Sequence, residues 1–357
     1  MNAAELIKLL PGVPSVESPF FSQIFNPAHT DQETLRIARE LNDNGYAIFD
    51  FPDPDFDAVA DLIKGDLAGN FDFERWRTSG YERGEGMRIQ DAWQSNERVK
   101  RFATNKVVTD LLTKLYGRQA HPFQTLNFPV GTQQHFHSDS IHFSSMPERF
   151  MCGVWVALED IAEDAGPLVY YPGSHKWPIY TNEHLGICSA ESTKRFNQGV
   201  YEPLWRALVE IHGVKPKTFT AKKGQALIWA ANLLHGGMKQ NNRNLTRWSQ
   251  VTHYYFDGCA YYTPMYSDPA YGVIDFRSPP NVETGELFKN QYSGHEVPEE
   301  VISFATSRPR KDLDVELPPN FDPALYLAAN EDVRKANVDP VMHYRLYGHK
   351  EGRPLRP

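Results

Sequence analysis

Three residues of this sequence could together hold a metal ion. The string QQHFHSDS places His137 and Asp139 two residues apart, so on a β-strand both side chains would project from the same face. His235, in ANLLHGG, follows the apolar run GQALIWAAN and supplies a second imidazole. Two histidines and one carboxylate on one face of Fe(II) leave three positions free, whereas a structural zinc site is closed by protein ligands. The pattern predicts a mononuclear iron site.

The choice between two neighbouring histidines stays open at this point. His135, His137 and Asp139 would share a strand face, and a His-x-His pair is also a metal-binding spacing. We favour His137 because the pair with Asp139 includes an anionic ligand.

The predicted secondary structure that must position these residues changes from helical to β-rich along the chain. A first third with helical spacing, at about 30–46, 56–68 and 96–117, forms a helical shoulder, with Asp31 as N-cap and Gly45 and Gly117 as helix ends. From about 118 to 258 short β-rich runs alternate with turn residues, which favours a β-sandwich or jelly roll. Trp155 and Trp229 sit in apolar strands and are interpreted as packing between two sheets. The predicted class is mainly β with a helical shoulder (α+β).

A polar stretch at about 181–216 interrupts the strands and is a candidate lid, with helical spacing in YEPLWRALVEIHG. A Pro-flanked linker near residue 315 suggests a main domain of residues 1–315 and a helical appendage of residues 316–357. We expect its small core to contain Phe321, Tyr326, Leu327, Val333, Tyr344 and Tyr347.

Composition narrows the class of partner and compartment. The chain of 357 residues has 37 basic and 45 acidic residues, giving a net charge of −8 without a basic stripe, so nucleic acid is not an expected partner. No window reaches about 18 apolar residues, so we expect no membrane span. Three widely spaced cysteines indicate free thiols. We therefore expect a cytoplasmic protein.

The run GVWVALEDIAEDAGPLVYYPGSHK, with HSD before it and LLHGG after it, resembles the phytanoyl-CoA dioxygenase family. The similarity extends from NGYAIFDFP near residue 44 to about Tyr255. The resemblance implies a double-stranded β-helix (jelly roll) that binds Fe(II) and uses 2-oxoglutarate and O₂ as cosubstrates. We interpret the histidine of PGSH, His175, as structural.

The same resemblance implies where the cosubstrate binds. In the family an arginine anchors the C5 carboxylate of 2-oxoglutarate, and Arg247 and Ser249, on one face of RWSQVTHYYF, match its Arg-x-Ser arrangement. A guanidinium suits this role because it stays charged and binds carboxylates in bidentate fashion. Arg243 is the nearest rival. Gln124 and Asn127, in FQTLNF, are further candidates near the cosubstrate.

The expected reaction is hydroxylation of an aliphatic C–H bond in a small polar metabolite, saccharide or natural-product intermediate, with release of succinate and CO₂. Asp139 favours hydroxylation over halogenation, because related halogenases lack the carboxylate ligand. Loops on a rigid core commonly carry recognition. This points to four residues as candidate substrate contacts, which are Arg88, Gln90, Trp93 and His142.

Two other readings remain. The first is a catalytically silent, cupin-like protein that binds a metabolite or glycan, and the second is a metal-dependent hydrolase or isomerase that uses a metal-bound water. The C-terminal segment resembles a short bacterial helical repeat with the pattern FDxxYYLxxNPDV, which suggests a protein or glycan contact there.

Overall fold

The computed structural model describes residues 2–78, 87–189, 197–307, 317–335, 340–349 and 351–357. The α-helices of these ranges are α1 (Ala3–Leu9), α2 (Phe21–Ile24), α3 (Gln32–Asn44), α4 (Phe56–Ala68), α5 (Phe73–Thr78), α6 (Glu97–Ala103), α7 (Lys106–Tyr116), α8 (Asn182–Leu185), α9 (Glu202–Ile211), α10 (Glu299–Ser307), α11 (Pro323–Ala329), α12 (Glu331–Lys335) and α13 (Pro340–His343). The strands are β1 (Tyr46–Asp50), β2 (Ile89–Gln90), β3 (Ala120–Phe128), β4 (Ser144–Met146), β5 (Met151–Ala157), β6 (Leu168–Tyr170), β7 (Lys217–Phe219), β8 (Gln225–Ala230), β9 (His235–Gly237), β10 (Ser249–Phe256), β11 (Ala260–Tyr262), β12 (Gln291–Tyr292) and β13 (His295–Glu296).

Two antiparallel sheets form the centre of the fold. The larger has the order β1-β8-β5-β10-β3-β2, and the smaller has the order β7-β6-β9. Strand alternation sorts the side chains of β5 into two layers: Val154 and Val156 pack on the helical side, whereas Trp155 and Ala157 pack with residues of the smaller sheet such as Phe219. This arrangement confirms the predicted β-rich fold with a helical shoulder.

The shoulder is as predicted except at one point. Asp31 caps α3 by accepting a 2.9 Å hydrogen bond from the backbone N–H of Thr34, and Gly45 ends that helix with a φ of 82°. The segment 96–117 is helical as expected but is divided into two helices, because Asn105 accepts hydrogen bonds from the N–H groups of Val107 and Val108 and starts α7 there.

The segment that carries the first two metal-binding candidates is not a regular strand. Residues 131–136 have no regular secondary structure, His137 makes an isolated bridge to His235, and Asp139 begins a 3₁₀ helix, Asp139–Ile141. The expectation that His137 and Asp139 lie on a β-strand is therefore wrong, although both side chains still reach the same site.

The predicted lid stretch contains α8 and α9, and residues 190–196 lie outside the described residues. Trp205 of α9 is buried with Ile141, Tyr171 and Leu234, so this helix packs beside the smaller sheet. Its role as a lid stays a prediction.

The predicted domain boundary near 315 falls in residues 308–316, which are outside the described part of the chain. Beyond it, Tyr326 is buried and contacts the rings of Phe321 and Tyr344, as expected for a small core, but the side chain of Tyr347 is 53% exposed. Across the described ranges, every helix is too short or too polar to cross a membrane.

Candidate metal centre and adjoining cavity

The tertiary structure brings the three predicted ligands together. His137, Asp139 and His235 are all buried, and each offers one ligand atom within 4.8 Å of the other two. Nε2 of His137 lies 3.5 Å from Oδ1 of Asp139, and Nε2 of His235 lies 3.7 Å from Oδ2. Two imidazoles and one carboxylate around a common point form a donor set that suits Fe(II).

Local hydrogen bonds orient both histidine ligands. Nδ1 of His137 lies 3.0 Å from the carbonyl oxygen of His135, and Nδ1 of His235 lies 3.0 Å from that of Leu233. Each Nδ1–H can thus donate to a carbonyl, which leaves the lone pair of Nε2 for a metal. Burial lowers the pKa of His235 to about 4, so this imidazole is neutral at neutral pH, as a ligand must be.

The chain segments that carry these histidines are in direct contact. A Cβ atom at Gly236 would lie 2.7 Å from the carbonyl oxygen of Gln134 and 2.9 Å from the Cα of Phe136. Only glycine permits this approach, so the residue after His235 is dictated by the distance between the two segments.

His135 is not part of this group. Its Nδ1 lies 2.8 Å from the carbonyl oxygen of Phe136, and its Nε2 lies 3.4 Å from the guanidinium of Arg206. Among the described residues, His137 and not His135 therefore lies with Asp139 and His235.

The carboxylate of Asp139 has a dedicated hydrogen-bond donor. Nε1 of Trp229 donates to Oδ2 at 2.8 Å. Burial raises the pKa of Asp139, but the imidazoles of His235, His137 and His253 together lower it by more than burial raises it. The net effect keeps the pKa of this carboxyl well below its usual range. Asp139 is thus ionised and able to ligate a cation. The interpretation of Trp229 as packing alone is incomplete.

A cavity of about 620 Å³ opens beside the three ligands. Sequence-predicted residues that line it, besides the three ligands, are Arg247, Gln124, Arg88, Gln90 and His142. Its volume falls in the range of small-molecule sites.

Arg247 is a buried cation facing this cavity. The residue is 2% exposed, and its Nε and Nη1 atoms have no hydrogen-bond partner among the described residues. Burial lowers the pKa of Arg247 to about 10, so the guanidinium is still charged at neutral pH. A buried charge without a counter-ion is costly, which indicates that an anionic ligand belongs beside it.

Residues near Arg247 carry further unused donors. The Oγ of Ser249 and the Nε1 of Trp155 are buried without a partner in the described structure, and Trp155 lines the cavity. The rival Arg243 is engaged elsewhere, because its Nη1 donates to the carbonyl of Trp76 at 3.0 Å and its guanidinium lies over the Trp76 ring.

The two candidate amides on β3 face opposite ways. Gln124 lines the cavity, whereas Asn127 is fully buried on the other face, where it donates to Oε1 of Gln250 at 3.3 Å. Gln250 in turn donates to the carbonyl of Val99 in α6. Asn127 therefore connects the sheet to the shoulder, and its prediction as a cosubstrate contact is wrong because strand alternation turns it away.

Of the four predicted substrate contacts, three line the cavity and one does not. Arg88 and Gln90 are exposed at the cavity, and His142 lines it with Nε2 lying 3.4 Å from Oε1 of Gln198. Trp93 does not line it: its Nε1 donates to Asp91, and its ring packs against the shoulder core.

His253 is the residue that sequence reasoning missed. It is 4% exposed and lines the cavity, with Nδ1 lying 3.0 Å from Oε1 of Gln124 and Nε2 lying 3.7 Å from Oδ2 of Asp139. The alternation of RWSQVTHYYF could have indicated it, since Arg247 and His253 are six residues apart in that predicted strand and would share a face. Gln134 and Gln198 line the cavity as well and carried no sequence signal.

The comparisons with known proteins agree with this geometry. Residues 81–245 match the model of the family described as phytanoyl-CoA dioxygenase (PhyH). The matched stretch is a little under half of the chain and is similar to that family. The PhyH match contains His137, Asp139 and His235 and ends just before Arg247. The comparison with curated proteins gives no match.

Two solved structures resemble the chain over most of its length. One is the non-heme alpha-ketoglutarate-dependent carbocyclase SnoK from nogalamycin biosynthesis, at 14% identity and a TM-score of 0.50, covering 74% of this chain and 95% of that one. The other is EctD from S. alaskensis, solved with 2-oxoglutarate and 5-hydroxyectoine, at 16% identity and a TM-score of 0.50, covering 80% of this chain and 92% of that one. At these identities the likeness shows the fold alone, which is a jelly roll.

Proposed function

We propose that this chain is a mononuclear Fe(II)- and 2-oxoglutarate-dependent dioxygenase that hydroxylates an aliphatic C–H bond of a small polar molecule. The observation that carries the proposal is the buried guanidinium of Arg247, whose Nε and Nη1 have no hydrogen-bond partner among the described residues, in the same cavity as His137, Asp139 and His235. A metal site alone fits many reactions, whereas a metal site with a buried cation beside it fits a cosubstrate that chelates the metal and ends in a carboxylate.

The donor set fits iron. His137, Asp139 and His235 would hold the ion on one face. Their nitrogen and oxygen donors are typical of Fe(II) sites, whereas structural zinc sites are rich in thiolate ligands. When iron and 2-oxoglutarate are both bound, the chemistry that they supply is oxidation by O₂. In this reaction R–H, 2-oxoglutarate and O₂ give R–OH, succinate and CO₂.

The protein residues would fix the cosubstrate. Arg247 would bind the C5 carboxylate through two N–H groups, and the Ser249 hydroxyl would add a donor. Gln124 lines the same cavity and could donate through its amide, because its Oε1 is already close to His253. Burial strengthens these contacts, since water does not compete for the guanidinium.

The polar part of the cavity supports a polar substrate. Gln90, Gln134, Gln198 and His142 offer neutral hydrogen-bonding groups, and Arg88 adds one exposed cation. Such a lining suits a hydroxyl- or amide-bearing metabolite, a saccharide or a natural-product intermediate. Asp139 occupies the ligand position that a halide would need, so we propose hydroxylation rather than halogenation.

We also propose that residues 1–315 form the catalytic domain and act in the cytoplasm. Residues 316–357 would form a separate helical module for contact with a protein or glycan. The hydrogen bond that the Asn330 side chain donates to the carbonyl of Pro354 supports the module, because it joins the end of α11 to the last residues of that segment.

The test needs no substrate. Metal-free protein is mixed anaerobically with Fe(II) and then titrated with 2-oxoglutarate, and the weak visible charge-transfer band of the chelate is recorded. We expect the band in the wild type, and in Arg247→Gln we expect at least a tenfold higher 2-oxoglutarate concentration at half-saturation. Arg243→Gln is the matched control and should titrate like the wild type, because its guanidinium lies on Trp76.

Stoichiometric iron binding without the band would contradict the proposal. That result would favour a metal-dependent hydrolase. Absence of both iron and 2-oxoglutarate binding would favour a catalytically silent binding protein.

A further inference from the structure

Asp139 is held by a residue that does not itself ligate a metal. The indole Nε1 of Trp229 donates to Oδ2 of Asp139 at 2.8 Å, and the two residues are 2% and 3% exposed. A charge-assisted hydrogen bond shielded from water in this way is stronger than an exposed one.

The sheet is built so that the indole can reach this oxygen. Trp229 on β8 lies directly opposite Gly153 on β5. A Cβ atom at Gly153 would overlap Cζ2 of the indole, so any other residue there would displace the ring. The same ring lies 4.8 Å from the imidazole of His235, measured between centroids. Trp229 therefore contacts two of the three proposed ligands.

No other described donor serves Oδ2. The nearest imidazole nitrogens, Nε2 of His235 and Nε2 of His253, both lie 3.7 Å away, beyond hydrogen-bond distance. If Nδ1 of His253 donates to Gln124, its Nε2 carries a lone pair and cannot donate. A phenylalanine in place of Trp229 would fill similar space but would leave the buried oxygen without a donor.

We propose that Trp229 is a positioning residue that keeps Asp139 a monodentate ligand. The N–H engages Oδ2, which leaves Oδ1, 3.5 Å from Nε2 of His137, as the ligand oxygen. A bidentate carboxylate would occupy one more of six coordination positions and leave two instead of three. The inference rests on the proposed iron site, which requires two positions for the chelating cosubstrate and one for O₂.

The test compares Trp229→Phe with Trp205→Phe. Trp205 is also a buried tryptophan, in α9 and stacked on Tyr201, and it is not among the described residues that line the cavity beside the three ligands. Co(II) is titrated into each metal-free protein, and the visible d–d spectrum gives both affinity and coordination. We expect Trp229→Phe to bind Co(II) about 10- to 100-fold more weakly, the range found when a partner of a metal ligand is removed.

The spectrum separates positioning from general damage. A change in the number or angle of ligands alters the intensity and wavelength of the d–d bands, whereas a merely loosened fold lowers occupancy without altering the spectrum at saturation. We expect an altered saturated spectrum in Trp229→Phe and an unaltered one in Trp205→Phe. Equal affinity and identical spectra in Trp229→Phe and the wild type would overturn the inference.

A measurement on the wild type covers the case in which Trp229→Phe does not fold. The chain has seven tryptophans, so ¹⁵N-labelled protein gives a small set of indole N–H resonances. We expect one that exchanges slowly with water and shifts when Zn(II) is added alone. If no indole resonance responds while Zn(II) binds, Trp229 does not act on the site. If the wild type binds no metal at all, the proposed function fails first.

Discussion

His137 and His235 exchange both of their backbone hydrogen bonds, with the N–H of His137 2.9 Å from the carbonyl oxygen of His235 and the N–H of His235 3.0 Å from that of His137. The two proposed ligands are therefore joined through the backbone before any metal binds. The distance between their imidazoles depends on how closely the two segments approach.

Gly236→Ala should break this arrangement. The new methyl group would lie 2.7 Å from the carbonyl oxygen of Gln134, so the segments must separate. We expect a loss of about 1–3 kcal/mol in the free energy of unfolding, as for overpacked sites, together with weaker Co(II) binding. Gly65→Ala in α4 is the control, since nothing lies within 4 Å of the added atom. Urea unfolding of the wild type and both variants measures the difference. Equal stability of Gly236→Ala and the wild type would show that the segments can move apart freely.

Replacing any one proposed ligand should abolish turnover. His137→Ala, Asp139→Ala and His235→Ala each remove one of three donors, so we expect iron retention after desalting to fall strongly and succinate release to be lost. His135→Ala should retain both properties, because its ring contacts Phe136 and Arg206 instead. Iron content and succinate are measured on the same samples. Loss of iron in His135→Ala with full retention in His137→Ala would reverse the assignment.

Arg247→Met should stabilise the metal-free protein while preventing cosubstrate binding. The native guanidinium is buried without a described partner, so its removal relieves a desolvation cost. We expect the free energy of unfolding to rise by about 1 kcal/mol or more, and the extra thermal shift that 2-oxoglutarate adds to that of Co(II) to disappear. Differential scanning fluorimetry with and without 2-oxoglutarate tests both halves. A less stable Arg247→Met protein would mean that the arginine has an internal counter-charge.

His253 should not be a fourth metal ligand. Its Nε2 lies 3.7 Å from Asp139, but it is not among the described atoms that converge within 4.8 Å. His253→Phe should therefore keep Co(II) affinity within about threefold of the wild type, far less than the effect of losing a ligand. Isothermal titration of the two proteins with Co(II) decides the point. A decrease as large as that of His235→Ala would make the site a four-residue one.

The metal-free protein should lose stability in mild acid, partly through His175. This residue packs over Gly45, its Nε2 lies 3.1 Å from the carbonyl oxygen of Asn42, and burial lowers its pKa to about 4. In the unfolded chain its pKa is about 6.5, so between about pH 6.5 and pH 4 only the unfolded state takes up the proton. Stability then falls with falling pH by at most about 1.4 kcal/mol per pH unit for this residue.

His175→Gln should reduce that slope. Urea midpoints recorded from pH 7 to pH 4 for the wild type, His175→Gln and a variant of the exposed His29 measure it. The same pH dependence in the wild type and His175→Gln would show that His175 does not contribute.

Much of the site was readable because its signals are local. The spacing of His137 and Asp139, the glycine after His235 and the position of Arg247 two residues before β10 are all features of short stretches of sequence. The caps at Asp31 and Gly45 were predictable for the same reason, since a cap bonds to residues three or four positions away. The break at Asn105 was missed because the flanking apolar spacing continues through it.

By itself, the sequence determined which residue types could bind a metal and an anion, and that the strands beside them alternate between two environments. Only the tertiary structure decided that His137 rather than His135 reaches His235, that Asn127 faces the shoulder, and that Trp229 and His253 adjoin Asp139. Those outcomes depend on sheet register and on which face packs against which layer, and both are set by contacts between residues about a hundred positions apart in the chain.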